Sequence, residues 1–139
     1  MAKLLIVDDE IAEVRPLMAL LRQAGHDVCC ATTPGEALIE LQHNTPDLVL
    51  LDLNMPHLNG FDFLDALEDD SRFYDVPVAI YSALTDDTSI ERAMKLGACD
   101  YIIKGVGWPE TYERIRAHLP SSIDEAPTET PESDIATAV

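Results

Sequence analysis

Asp8 and Asp9 follow the apolar run "LLIV", Asp52 stands near the end of "LVLLDL", Ser82 lies in "VPVAIYSA", and Lys104 closes "YIIK". If these runs are parallel strands of one sheet, all five residues reach the same rim. Open α/β sheets collect ligands there, beyond the carboxyl ends of the strands and near the point where strand order reverses. Three carboxylates brought together repel and raise each other's pKa unless a cation sits among them. A hard divalent ion meets that need, and Mg2+ typically keeps waters and a phosphate oxygen beside one or two carboxylates. A carboxylate is also a nucleophile towards phosphorus, in chemistry that rests on positioning and charge neutralisation. Lys104 supplies a point charge for phosphoryl oxygens and Ser82 a hydroxyl that can donate to one. The set therefore points to phosphorylation of Asp52 at a Mg2+ site.

The elements that must position these residues are legible in the same runs. Four are continuously apolar and a fifth, "DVCCA", is weaker, which marks strands covered on both faces. Helical spacing fills the intervals. Val14, Leu17, Met18 and Leu21 define the first helix, with Gly25 as its stop. Thr33, Pro34 and Glu36 read as cap, first position and capping box of a second helix, with Ala37, Leu38 and Leu41 inward. A third spans about Gly60 to Glu68 with Phe61, Leu64 and Leu67 inward. A fourth starts near Asp86 or Asp87, uses Ile90, Ala93 and Met94, and ends at Gly97. A fifth opens at Pro109 and buries Tyr112, Ile115 and Leu119. Five alternations predict a doubly wound (βα)5, flavodoxin-like α/β sandwich of three layers around a five-stranded parallel sheet.

The totals narrow the function. The 139 residues suit one domain with a real core. A net charge of −17 argues against a phosphate-backbone partner and against anionic membrane surfaces. No apolar run approaches the roughly 20 residues of a spanning helix, and the start of the chain has no signal-peptide pattern, so a cytoplasmic location is expected. Cys29, Cys30 and Cys99 lack CxxC spacing and read as buried reduced thiols. The four histidines share no metal spacing and are taken as surface residues, with His57 close enough to the site to affect access. Residues 1–119 form the folded unit. From Pro120 the chain carries three Pro, five acids and no Lys or Arg, the composition of a disordered linker or solubilising tail.

The motifs "LLIVDDE", "LLDLNMPHLNG", "IYSAL" and "DYIIK", in this order over about residues 3 to 119, resemble the receiver domain of two-component response regulators. That resemblance implies that Asp52 is the phosphoacceptor. It also implies that Asp9, Asp52 and the backbone carbonyl of Asn54 bind Mg2+, with Asp8 acting through a metal-bound water. Ser82 and Tyr101 would be the switch pair, and small Ala83 would leave the approach open. Asn54 and Leu84 would occupy the positions where the family tunes phosphate lifetime. The implied donor is a sensor histidine kinase or a histidine phosphotransfer protein. The implied output is a downstream protein bound by the fourth helix, fifth strand and fifth helix, with a phosphorylation-dependent dimer left open.

Several features depart from the family pattern. Lys104 is followed by Gly105 where receivers usually have a cis proline. A cis bond without proline costs about 2.5–4 kcal/mol, so a trans bond or a flexible "GVG" loop is expected. The loop to Pro109 reads one residue long and carries Trp108, either a partner anchor or a core contact. Pro16 predicts a late start or a kink in the first helix. Two other functions compete with the signalling switch. One is a receiver-fold docking module that works without phosphorylation. The other is a haloacid-dehalogenase-type phosphatase, disfavoured because position 54 is Asn rather than a second Asp.

Overall fold

The computed structural model describes residues 2–55 and 58–120. His57 and the tail from residue 121 lie outside them. Five parallel strands form one sheet in the order β2-β1-β3-β6-β7: β1 (Lys3–Val7), β2 (Asp27–Ala31), β3 (Leu48–Leu51), β6 (Val78–Ser82) and β7 (Asp100–Ile103). Five helices alternate with them: α1 (Ile11–Gln23), α2 (Pro34–His43), α3 (Gly60–Glu68), α4 (Asp87–Lys95) and α5 (Trp108–Arg116). This is the doubly wound flavodoxin-like sandwich that the alternation predicts. One pairing was not anticipated. Asn54–Met55 (β4) and Leu58–Asn59 (β5) make a small antiparallel pair just after Asp52.

Because alternate side chains leave a strand on opposite faces, the continuous apolar runs feed two cores. Leu5, Val7, Val49, Leu51, Val78 and Ile80 pack under α2, α3 and α4. Leu4, Ile6, Leu48, Leu50, Ala79 and Ile102 pack under α1 and α5. The register pairs Val7 with Leu51, Leu51 with Ile80, and Ser82 with Ile103, so the strands end level on one rim. The chain leaves β1 towards β2 on one side and returns as β3 on the other. The switch point therefore falls between β1 and β3.

The helices depart from expectation in instructive ways. Pro16 neither delays nor ends α1, which is helical from Ile11. The lost backbone bond and ring clash cost about 3 kcal/mol, and burial of Val14, Leu17, Met18 and Leu21 outweighs it. Thr33 caps α2 through Glu36 N–H (3.1 Å), and the Glu36 carboxylate reaches back chiefly to the Thr32 N–H (2.9 Å) and hydroxyl (3.0 Å), with a weaker contribution from the Thr33 N–H. In α3 it is Phe63 that enters the core. Phe61 is half-buried beneath the Arg92 guanidinium, which offers its ring a cation. In α4 only Ala93 is fully buried, while Met94 is 44% exposed and Ile90 packs from the edge. α5 starts at Trp108 and buries Thr111 with Ile115, leaving Tyr112 half-buried. Thr111 can sit inside because its hydroxyl donates to the Gly107 carbonyl (3.1 Å).

His26 is a second correction. It is buried, not a surface residue, and its Nδ1 accepts the Ala2 N–H (3.2 Å). Burial lowers its pKa, so it stays neutral. His118 pairs with Asp100 at 3.0 Å, and Arg114 grips the same carboxylate. The cysteines are free but not uniformly buried: Cys99 is exposed and Cys29 and Cys30 are half-buried. Burial pushes the Cys29 thiol up to about 11, with Glu40 adding to it, and burial with Asp8 and Glu36 does the same for Cys30. At pH ~8 the thiolate is then roughly 200-fold scarcer than in an unfolded chain, and its higher nucleophilicity recovers about ten-fold of that. Cys29 and Cys30 should therefore react with a disulfide reagent roughly ten- to twenty-fold more slowly in buffer than in urea. Equal rates in the two conditions would contradict this.

Candidate functional site

The sheet ladder continues one step past the strand ends and carries the polar residues with it. Asp8 N–H donates to the Ala31 carbonyl and Asp52 N–H to the Val7 carbonyl, both at 3.0 Å. Lys104 N–H donates to the Ser82 carbonyl at 2.8 Å. The backbones of these residues are thus fixed by the same bonds that build the core. Each acidic or hydroxyl side chain then turns on itself. Asp8 Oδ1 accepts Glu10 N–H (2.9 Å), Asp52 Oδ1 accepts Asn54 N–H (3.2 Å), and Ser82 Oγ accepts Leu84 N–H (3.2 Å). These two-residue turns aim the remaining oxygens across the rim.

Oxygens of Asp8, Asp9 and Asp52 all lie within 4.8 Å of one another. Asp8 is 1% exposed and Asp52 6%, so the repulsion between them is poorly screened. Lys104 answers part of it. Its Nζ lies 2.7 Å from Asp8 Oδ2, 2.9 Å from Glu13 Oε1 and 3.6 Å from Asp52 Oδ2. Burial alone would lower the Lys104 pKa, but the bonds to Asp8 and Glu13 outweigh it and hold the ammonium charged. For Asp52 burial wins. Its carboxyl is raised above the usual range despite Lys104, the Asn54 N–H and the Ser82 hydroxyl.

Asp9 Oδ1 is buried and has no hydrogen-bond partner among the described residues. A buried carboxylate oxygen without a donor is costly in protein alone and suits a hard cation. The donor set is all oxygen, as Mg2+ or a similar ion requires. The cleft over it, about 280 Å3, is lined by Asp9, Glu10, Glu13, Asp52, Asn54, Ala83, Leu84 and Lys104. That is room for an ion, a phosphoryl group and waters.

Ser82 is fully buried beneath this cleft. Tyr101 is buried too, and its hydroxyl donates to the Leu84 carbonyl at 2.8 Å, tying β7 to the segment after Ser82. The structure thus gathers Asp8, Asp9, Asp52, Asn54, Ser82 and Lys104, with Tyr101 one layer behind. Gly105 adopts a φ of +98°, a left-handed turn open to glycine, and this is how the chain leaves Lys104 in place of the usual proline. Sequence reasoning missed Glu13. Its signal was an acid four residues after Asp9, in the first turn of α1, where it reads as ordinary helix-start charge.

A model of the response regulator receiver domain matches residues 4–116. The chain belongs to that family. Among receiver-containing relatives, protein RcaC of Microchaete diplosiphon is 37% identical over 117 residues, covering 84% of this chain and 18% of RcaC. The DNA-binding response regulator MtrA of Mycobacterium tuberculosis (strain ATCC 25618 / H37Rv) is 36% identical over 123 residues, covering 88% of this chain and 53% of MtrA. This receiver thus spans about half or less of the curated relatives it matches. Chemotaxis protein CheY4 of Vibrio cholerae is 29% identical with a TM-score of 0.77, covering 86% of this chain and 99% of that one. A response regulator from Chloroflexus aurantiacus J-10-fl is 28% identical with a TM-score of 0.79, covering 85% and 97%. Response regulators work with histidine kinases or phosphotransfer proteins. No helix among the described residues of this receiver is long and apolar enough to cross a membrane.

Proposed function

We propose that residues 1–119 are a phosphorylation switch that accepts a phosphoryl group on Asp52 from a phosphohistidine. The observation that carries this reading is the triad itself: three carboxylates within 4.8 Å, one with an orphaned buried oxygen, beside a lysine. Asp9, Asp52 and the Asn54 carbonyl would hold Mg2+, with Asp8 acting through a water. When bound, the ion supplies charge neutralisation for the carboxylates and the incoming phosphoryl oxygens.

In the transfer an Asp52 carboxylate oxygen forms a bond to phosphorus while the phosphorus–nitrogen bond of the donor breaks and its electron pair returns to the imidazole. Lys104 attracts the arriving oxygens. Ser82 donates its hydroxyl hydrogen to one of them, and the shift of its oxygen strains the bond it accepts from Leu84 N–H and loosens the segment that Tyr101 holds. The Tyr101–Leu84 bond joins that segment to β7 and so to the face of α4, β7 and α5, where a downstream protein would read the change. The strong negative charge makes that partner a protein for this chain, not a nucleic acid.

The test is phosphoryl labelling with acetyl phosphate, read by intact mass, with and without Mg2+. Wild type should gain one phosphoryl group only with Mg2+, and Asp52→Asn should gain none while remaining folded. Labelling that persists in Asp52→Asn, or none in folded wild type with either acetyl phosphate or a phosphorylated kinase, would overturn the assignment.

A further inference from the structure

Lys104 faces two competing demands, and the geometry ranks them. Its ammonium has three N–H donors. Asp8 and Glu13 take two at hydrogen-bond distance, 2.7 and 2.9 Å, whereas Asp52 at 3.6 Å lies beyond it. Glu13 is not part of the buried triad. It stands on α1, its side chain is 56% exposed, and it lines the cleft. It also borders the adjoining groove formed by Tyr81, Val106 and Trp108. An exposed carboxylate can swing into water at little cost, which a buried one cannot.

We propose that Glu13 is a positioning residue that restrains Lys104, holding its ammonium towards α1 and short of Asp52 until phosphoryl oxygens compete for it. The inference rests on the phosphoryl-transfer reading above. With acetyl phosphate, the Asp52 oxygen–phosphorus bond forms as the bond from phosphorus to the acetyl oxygen breaks, and the electron pair leaves with acetate. The phosphoryl oxygens then take the Lys104 hydrogen bond that Glu13 gives up. Breaking the Lys104–Glu13 bond is thus part of the barrier, and removing Glu13 should lower it.

Glu13→Gln should label about three- to five-fold faster than wild type with acetyl phosphate and Mg2+, the scale of one exposed ion pair. The gain should vanish in a Lys104→Gln background, because an effect routed through Lys104 is non-additive. An equal gain in that background, or slower labelling, would overturn the restraint. The second readout needs no phosphate. The chain has three lysines, Lys3, Lys95 and Lys104, so ammonium hydrogen exchange at Lys104 can be followed by NMR. It should be slow in wild type and faster in Glu13→Gln. If neither protein labels but exchange changes as expected, phosphoryl transfer fails and the restraint stands. If labelling is normal and exchange does not change, the restraint alone fails.

Discussion

Lys104→Met is expected to destabilise the metal-free protein by about 3–5 kcal/mol, the usual consequence of removing one partner of a buried ion pair. Methionine keeps the volume and the apolar stem, so packing changes little. What is lost is the cation against Asp8, 1% exposed, and Asp52, 6% exposed. The deficit should depend on pH with a definite sign. Burial already raises the Asp52 carboxyl and Lys104 opposes it, so removing Lys104 raises it further. A carboxyl whose folded pKa exceeds its unfolded value of about 3.9 contributes stability below that value and loses it as pH rises through the folded pKa. The gap between variant and wild type is then widest near pH 7–8 and narrows towards pH 4–5. Urea unfolding in EDTA at both ends of that range measures it. A gap that does not change with pH would assign the loss to packing, not charge. Adding Mg2+ should restore part of the stability at neutral pH, because an ion that binds only the folded triad stabilises it in proportion to its occupancy.

That prediction depends on residues legible in the chain, and what was legible follows from period and position. Continuous apolar runs can serve only as two-sided strands. Once "LLIV", "LVLL" and "VAIYS" are parallel neighbours, Asp8, Asp52 and Ser82 must share a rim, and the register shows that they do. Helix faces were harder to read. Phe61 and Phe63 are two residues apart and both fit an apolar stripe, and it is Phe63 that enters the core while Phe61 stays at the edge under Arg92. Met94 fits the α4 pattern yet remains exposed, because that helix faces the core through fully buried Ala93 with Ile90 at its edge. His26 was misread because its partner is the backbone N–H of Ala2, 24 residues earlier in the chain and beside it at the start of the β1–β2 pair, which no local spacing encodes. Glu13 was missed for a similar reason, since its partner Lys104 lies 91 residues away.

Gly60→Ala is expected to cost about 1–3 kcal/mol, the range for forcing an extra carbon into a packed site, and to slow labelling of Asp52. An added Cβ would stand 2.6 Å from Leu53 Cα and 2.8 Å from the Asp52 carbonyl oxygen. Both are backbone atoms, so no rotamer change relieves the contact. Nor can the strand tip recede freely, because Asp52 N–H is bonded to Val7 and so to the whole sheet. On the other side, Gly60 opens α3 and is held by the Asn59 cap, whose side chain accepts Phe61 N–H at 2.9 Å. The close approach of α3 to the segment after Asp52 is therefore a contact only glycine permits. Gly35→Ala supplies the control. Gly35 lies in the first turn of α2, has no positive φ and nothing within 4 Å of its added Cβ. It should be neutral or stabilising by about 0.4–1 kcal/mol through the unfolded chain. If both substitutions behaved alike in urea unfolding, the tight α3 contact would not be what fixes Asp52. If only Gly60→Ala loses both stability and labelling rate, helix packing sets the position of the Asp52 carboxylate.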